Sequence, residues 1–213
     1  MAEEMTALIF GAIPSENWEY LNGIHADLVI CADGGALCAD AAGIRPDLLI
    51  GDWDSGGKPV SDVPSVSMPP DKDLTDLQAA AEAAMERGCR DIIFCSCLGG
   101  RLDMTAVNLT LLEWCYDRGC RAVLLDDGNE ARMWDGSRLE LDRDDRYRYL
   151  SIVPLDRHIE GVTLEGVKYP LTNGNLTRGD TLTVSNEFSA DKAIFTAQSG
   201  RSLVIRCRRF IKT

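Results

Sequence analysis

Four short stretches of this chain place carboxylates, glycines and a few cations where a polyphosphate could be handled. In PDLLIGDWDSG, residues 46–56, the apolar run Leu48, Leu49, Ile50 stops at Gly51 and delivers Asp52 and Asp54 with Trp53 between them. Residues two apart in extended backbone share a face, so the two carboxylates project together and Trp53 points away. Like charges held that close favour a cation between them, and an oxygen-only donor pair suits Mg²⁺. The same spacing also fits a solvated turn in which Asp52 or Asp54 accepts from local N–H groups.

The other three stretches repeat the theme. CADGGA, residues 31–36, sets Asp33 before Gly34 and Gly35, where exposed backbone N–H groups could meet phosphate, or where glycine merely eases a tight turn. In PPDKDLTDLQ, residues 69–78, Asp73 suits a helix cap and Asp76 the capping-box acid, with Asp71 and Lys72 crowded just upstream. In CLGGRLDMTAVN, residues 97–108, Gly99 and Gly100 lead into Arg101, whose planar donor fork clamps phosphate, and into Asp103. The plainer reading makes Asp103 an N-cap, Arg101 a surface residue and Asn108 a solvent-facing helix position. A nucleotide- and phosphate-binding set of Asp33, Gly34, Gly35, Lys72, Gly100, Arg101 and Asn108 is expected.

These residues share one edge only if the elements behind them form one sheet. Apolar runs at residues 6–10, 27–32, 47–50, 91–97 and 121–125 read as strands, and residues 36–42, 74–87 and 104–118 read as helices. Continuously apolar strands alternating with helices predict a parallel sheet covered on both faces, and ligands bind such a sheet at the carboxyl ends of its strands. That edge then carries Asp33, Asp52, Asp54, Asp73, Asp76 and Asp103, with Lys72 and Arg101 beside them. Carboxylates, a few cations, glycine turns and no Ser/His/Asp set point to metal-assisted phosphoryl chemistry. No Walker A sequence and no kinase-type GxGxxG occurs.

Beyond residue 127 the pattern changes to short β segments, at 138–142, 149–153, 161–164, 181–184, 193–196 and 202–207, with turns at Asn173-Gly174 and 178–180. The expected architecture is an α/β N-terminal domain with a mainly parallel, Rossmann-like sheet (residues 1–130), followed by an all-β sandwich C-terminal domain (136–213). The charged stretch 142–148 is expected to join them. A net charge of −12 argues against nucleic acid or an anionic membrane as partner, though not against a nucleotide carried with Mg²⁺. The acidic start and the lack of a long apolar segment predict a cytoplasmic protein. The eight cysteines lie mostly in apolar segments without CxxC pairs and read as buried thiols. Trp18 and Phe188 suit core packing better than stacking on a substrate ring.

Taken in register, ADGGA (32–36), PDLLIGDWDS (46–55), DKDLTD (71–76), GGRLDMTAVN (99–108) and SNEF (185–188) make the chain similar to the thiamine pyrophosphokinase family over about residues 6–206. The resemblance implies an α/β domain followed by a β-sandwich, and a homodimer that moves the terminal diphosphate of ATP onto the hydroxyethyl group of thiamine, releasing AMP. It implies a Mg²⁺ and diphosphate site from Asp52, Asp54, Asp73 and Asp76, with Asp52, Asp54 and Asp76 as metal ligands and Asp103 and Arg101 in the same centre. Ser185 and Asn186 would line the thiamine pocket near the dimer interface. One departure stands out: bacterial members usually carry His where this chain has Met104. A diphosphokinase for another alcohol, such as a hydroxymethyl-pterin, and a non-catalytic thiamine or nucleotide sensor are the alternatives.

Overall fold

The computed structural model describes residues 4–51, 62–68 and 73–209. The chain divides into two compact units, Met1–Asp127 and Gly128–Thr213. In the first unit the elements run β1 (Met5–Phe10), β2 (Leu28–Ala32), α1 (Gly35–Ala41), β3 (Leu48–Gly51), β4 (Ser65–Ser67), α2 (Asp76–Glu86), β5 (Cys89–Cys95), α3 (Leu102–Tyr116) and β6 (Arg121–Leu125). The strands pair in the order β4-β3-β2-β1-β5-β6, and every pairing is parallel. Ala7, Leu8, Ile9 and Phe10 are all buried, as are all four residues of β3, which is what a sheet covered on both faces requires. Around Phe10, Cys31, Leu49 and Cys95 a core forms with Tyr20 and Leu21, and Trp18 packs against it.

Two expectations about helix starts are corrected. Helix α2 is capped by Thr75, whose hydroxyl accepts from Gln78 N at 3.2 Å, and not by Asp73. Asp76 is the first helical residue, so its charge sits in the first turn, where the helix dipole favours it. Helix α3 starts at Leu102 with Arg101 at its N-cap position and no side-chain cap bond from it, so Asp103 lies inside the first turn and is not the N-cap.

The second unit contains β7 (Asn129–Trp134), β8 (Leu139–Asp142), β9 (Tyr149–Pro154), β10 (His158–Glu165), β11 (Leu171–Thr177), β12 (Lys192–Thr196) and β13 (Ser202–Cys207). Two antiparallel sheets, β7-β13-β9 and β11-β10-β12-β8, share one core. Trp134, Leu150, Ile152 and Val204 come from the first sheet, and Leu141, Ile159, Leu164 and Phe195 from the second. This is the expected sandwich, and Phe188 packs against its core.

Several local expectations change. The stretch 142–148 is the β8–β9 connection inside this unit rather than a join between units. Asn173-Gly174 lies within β11, where the register against β10 shifts and Asn173 takes φ +49°, a left-handed conformation asparagine tolerates. Residues 181–184 form a turn, closed by Val184 N donating to Thr181 O at 3.1 Å. The turn is pinned to the edge of β9 by Thr183 Oγ1, which donates to Ile152 O at 2.8 Å.

Candidate active site

In the order β3-β2-β1-β5-β6 the chain runs outward in one direction from β1 and in the other from β5. The strand order therefore reverses between β1 and β5, and such a switch point opens a crevice at the carboxyl ends of the strands. The loops on its two sides are tied together. Gly11 N donates to Cys95 O and Ile13 N to Ser96 O, both at 2.8 Å. Directly above them lies a cavity of about 360 Å³, lined by the β1 loop (Gly11, Ala12, Ile13), Ala32 and Asp33 after β2, Asp76 and Leu77 of α2, Ser96, Cys97 and Gly99 after β5, and Arg101, Met104 and Asn108 of the α3 region.

Asp33 is held there by backbone. Its φ is +49°, its N–H donates to Ile50 O at 2.7 Å, and a Cβ on Gly51 would stand 3.1 Å from the Asp33 Cα, so any side chain at 51 would crowd the turn. Gly35 has the same logic at the start of α1, since a Cβ there would fall 2.2 Å from Phe10 O. The requirement for glycine in GG is thus at least partly steric. The Asp33 Oδ1 atom is buried with no hydrogen-bond partner, in a non-glycine residue whose backbone is in the sparsely populated left-handed region.

Asn108 is 5% exposed, which overturns the solvent-facing alternative. Its Nδ2 donates to Cys97 O at 2.8 Å, while its Oδ1 is buried and unpartnered. Arg101 and Asp103 form a bidentate pair at the rim: Nε to Oδ1 at 3.1 Å and Nη2 to Oδ2 at 2.6 Å. The Asp103 carboxyl also accepts from Met104 N at 2.9 Å. The Arg101 guanidinium first, and then the Met104 N–H, hold that carboxyl below the usual range. Thr105 braces the loop by accepting from Gly99 N at 3.1 Å.

The cavity wall thus brings together Asp33, Asp76, Arg101 and Asn108. Gly34, Gly35, Gly100, Asp73 and Asp103 flank it without lining it. Asp52, Asp54 and Lys72 lie outside the described residues. Among the described residues no group of three or more His, Cys, Asp or Glu converges on one point, and the wall carboxylate Asp76 offers oxygens of the kind Mg²⁺ takes. The first expectations omitted the β1 loop, Leu77, Ser96, Cys97 and Met104 as wall residues. The glycine that stops the apolar run TALIFG was the one visible signal for the first of these.

In the second unit Ser185 is exposed, at φ +61°, and its N–H donates to Ser151 Oγ at 3.0 Å. Asn186 is buried and engaged. Its Oδ1 accepts from Tyr169 N and Glu187 N, its Nδ2 donates to Tyr169 O, and its backbone pairs with Leu150. Such a side chain holds the 185–188 segment in place and leaves Ser185 as the member of the pair turned to solvent.

A parallel α/β unit with an acidic, arginine-bearing cavity at its switch point, followed by an antiparallel sandwich, defines a nucleotide-handling transferase in two parts. Residues 22–124 match the family model described as "Thiamin pyrophosphokinase, catalytic domain", and residues 137–201 match "Thiamin pyrophosphokinase, vitamin B1 binding domain". The chain is 31% identical over 185 residues to the thiamine pyrophosphokinase of Bacillus subtilis (strain 168), covering 84% of this chain and 86% of that protein. Crystal structures of thiamine pyrophosphokinases from Bacillus subtilis and from Geobacillus thermodenitrificans superpose with TM-scores of 0.88 and 0.85 at 28% and 29% identity. Each alignment covers 96% of this chain, with 100% and 98% of the respective relative. The chain belongs to the thiamine pyrophosphokinase family.

Proposed function

We propose that this protein is an ATP-dependent thiamine diphosphokinase. The observation that carries the reading is the cavity at the β1/β5 switch point, where Asp33, Asp76, Arg101 and Asn108 converge within a chain that matches both family domains. The thiamine hydroxyl oxygen attacks the β-phosphorus of ATP. A new O–P bond forms, the bond from the α–β bridging oxygen to the β-phosphorus breaks, the bridging oxygen leaves with AMP, and the hydroxyl proton passes to a carboxylate. This chemistry needs alignment and charge neutralisation more than a strong nucleophile. Asp103 fixes the guanidinium of Arg101 at the rim, and the rest of its donor fork would be left for phosphate oxygens.

Mg²⁺ dependence belongs to the same proposal, with Asp76 and the GDWDS carboxylates Asp52 and Asp54 as ligands, and Asp73 and Lys72 at the adjoining helix start. Bound there, the cation would neutralise the diphosphate as charge shifts during transfer. Incubation with ATP, Mg²⁺ and thiamine should yield AMP and thiamine diphosphate. ADP with thiamine monophosphate would overturn the assignment.

The second unit is the proposed thiamine-binding part, with Ser185 at its pocket and Asn186 as its brace. The exposed apolar residues Tyr169, Leu182 and Val184 beside Ser185 offer an apolar surface suited to a homodimer contact. Light scattering at micromolar concentration should report a dimer, and a monomer there would refute that part. No helix among the described residues is long and apolar enough to cross a membrane, and none of the eight cysteines, all within the described residues, forms a disulfide, in keeping with a reducing cytoplasm.

A further inference from the structure

Three unpartnered oxygens belong to residues of the cavity wall, Asp33 Oδ1, Ser96 Oγ and Asn108 Oδ1, and the two that can only accept, on Asp33 and Asn108, specify a chemistry that phosphate cannot meet. The amide of Asn108 has one sensible orientation, because the reversed one would set its oxygen against the Cys97 carbonyl that Nδ2 now satisfies. Its Oδ1 is therefore an acceptor in want of a donor, in a residue only 5% exposed. Asp33 Oδ1 on the same wall is another. Phosphate oxygens are themselves acceptors and would be repelled by both, so the triphosphate belongs at the Arg101 rim and a hydroxyl-bearing group belongs at the floor.

Position narrows the group further. In Rossmann-type dinucleotide sites an acid about 20 residues past the glycine turn of the first strand bonds a ribose hydroxyl. Asp33, at the end of β2, follows the Gly11 turn of β1 at that spacing. Ile13, Leu77 and Met104 supply an apolar wall on which a flat base can lie.

We propose that Asp33 and Asn108 recognise the ribose hydroxyls of the nucleotide, and so select ribonucleotides over deoxyribonucleotides as diphosphate donors. The inference rests on the diphosphokinase reading and refines the role of both residues from phosphate contact to sugar contact.

The test compares kcat/KM for ATP, 2′-deoxyATP and 3′-deoxyATP in the unmodified protein, then in Asp33→Gly, which tolerates left-handed backbone, and in Asn108→Ala, which suits a helix. A buried acceptor left without its hydroxyl should lower kcat/KM for at least one deoxy analogue by about 10- to 100-fold, and that preference should shrink to about threefold or less in a variant lacking the acceptor. Equal use of all three nucleotides by the unmodified protein overturns the proposal, as does a preference that both variants keep. Turnover with no nucleotide would instead defeat the diphosphokinase reading. Calorimetry with AMP and its two deoxy analogues then decides, with AMP bound about tenfold more tightly than at least one analogue in support, and equal or absent binding against.

Discussion

The carboxylate of Asp103 touches Arg101 with both oxygens and the Met104 amide with one, and it does not line the cavity. It was expected among the reacting carboxylates. We propose from its contacts that it is a positioning residue acting through Arg101, because a guanidinium gripped on one side keeps its remaining donors in a fixed direction. Asp103→Asn retains an oxygen for the Met104 N–H and removes the charge that grips Arg101. The KM for ATP should then rise by about five- to tenfold while kcat changes far less, since a charge-assisted pair is weakened without loss of a reacting group. The pair is exposed, with side-chain accessibilities of 75% and 63%, so the thermal midpoint should stay where it is. A kcat lowered by about a thousandfold at unchanged KM would place Asp103 at the reacting atoms and refute the positioning role.

At the scale of elements, the sequence was readable wherever burial alone decides the outcome. Strands β1, β3, β5 and β6 were found because both of their faces are covered, so the apolar run is nearly continuous. The three-residue β4, exposed throughout, has no such signature and was missed. Strand β7 was missed because its residues, NEARMW, carry a buried Glu130 whose partner Arg206 lies on β13, a pairing that only the folded unit creates. Cap residues were misjudged for a different reason. Asp73, Thr75 and Asp76 all satisfy the local rules for a helix start, and only the backbone path, with ψ of 155° at Thr75, selects among them. The position of the cavity, though not the role of any residue in it, was legible as a set of strand ends. Its walls were not, because Leu77, Cys97 and Met104 carry no chemical signal and reach the cavity only through the order in which β1, β5 and α3 lie together.

For the molecule as a whole, thiol placement sets a difference between the two units. Seven of the eight cysteines are buried, and all seven lie in the α/β unit, while the half-buried Cys207 is the sandwich's own. Burial pushes the Cys31 and Cys115 thiols up from 9.0 to about 12, because the core solvates a thiolate poorly. A pKa raised in the folded state means the folded chain holds the proton more tightly than the unfolded one. The stability these thiols contribute is therefore complete below about pH 9 and is lost as pH climbs towards 12. Each thiol costs about 1.4 kcal/mol per pH unit within that window. The α/β unit should accordingly be the part that fails first in alkali. Urea unfolding between pH 9.5 and 11 checks this against the double variant Cys31→Ala, Cys115→Ala. Lysine and tyrosine titrations are common to both proteins, so the variant's stability should fall less steeply, by about 2.7 kcal/mol per pH unit. Equal slopes would mean that these two thiols ionise as readily inside the fold as outside it, which a core that excludes water from Cys31 and Cys115 does not allow.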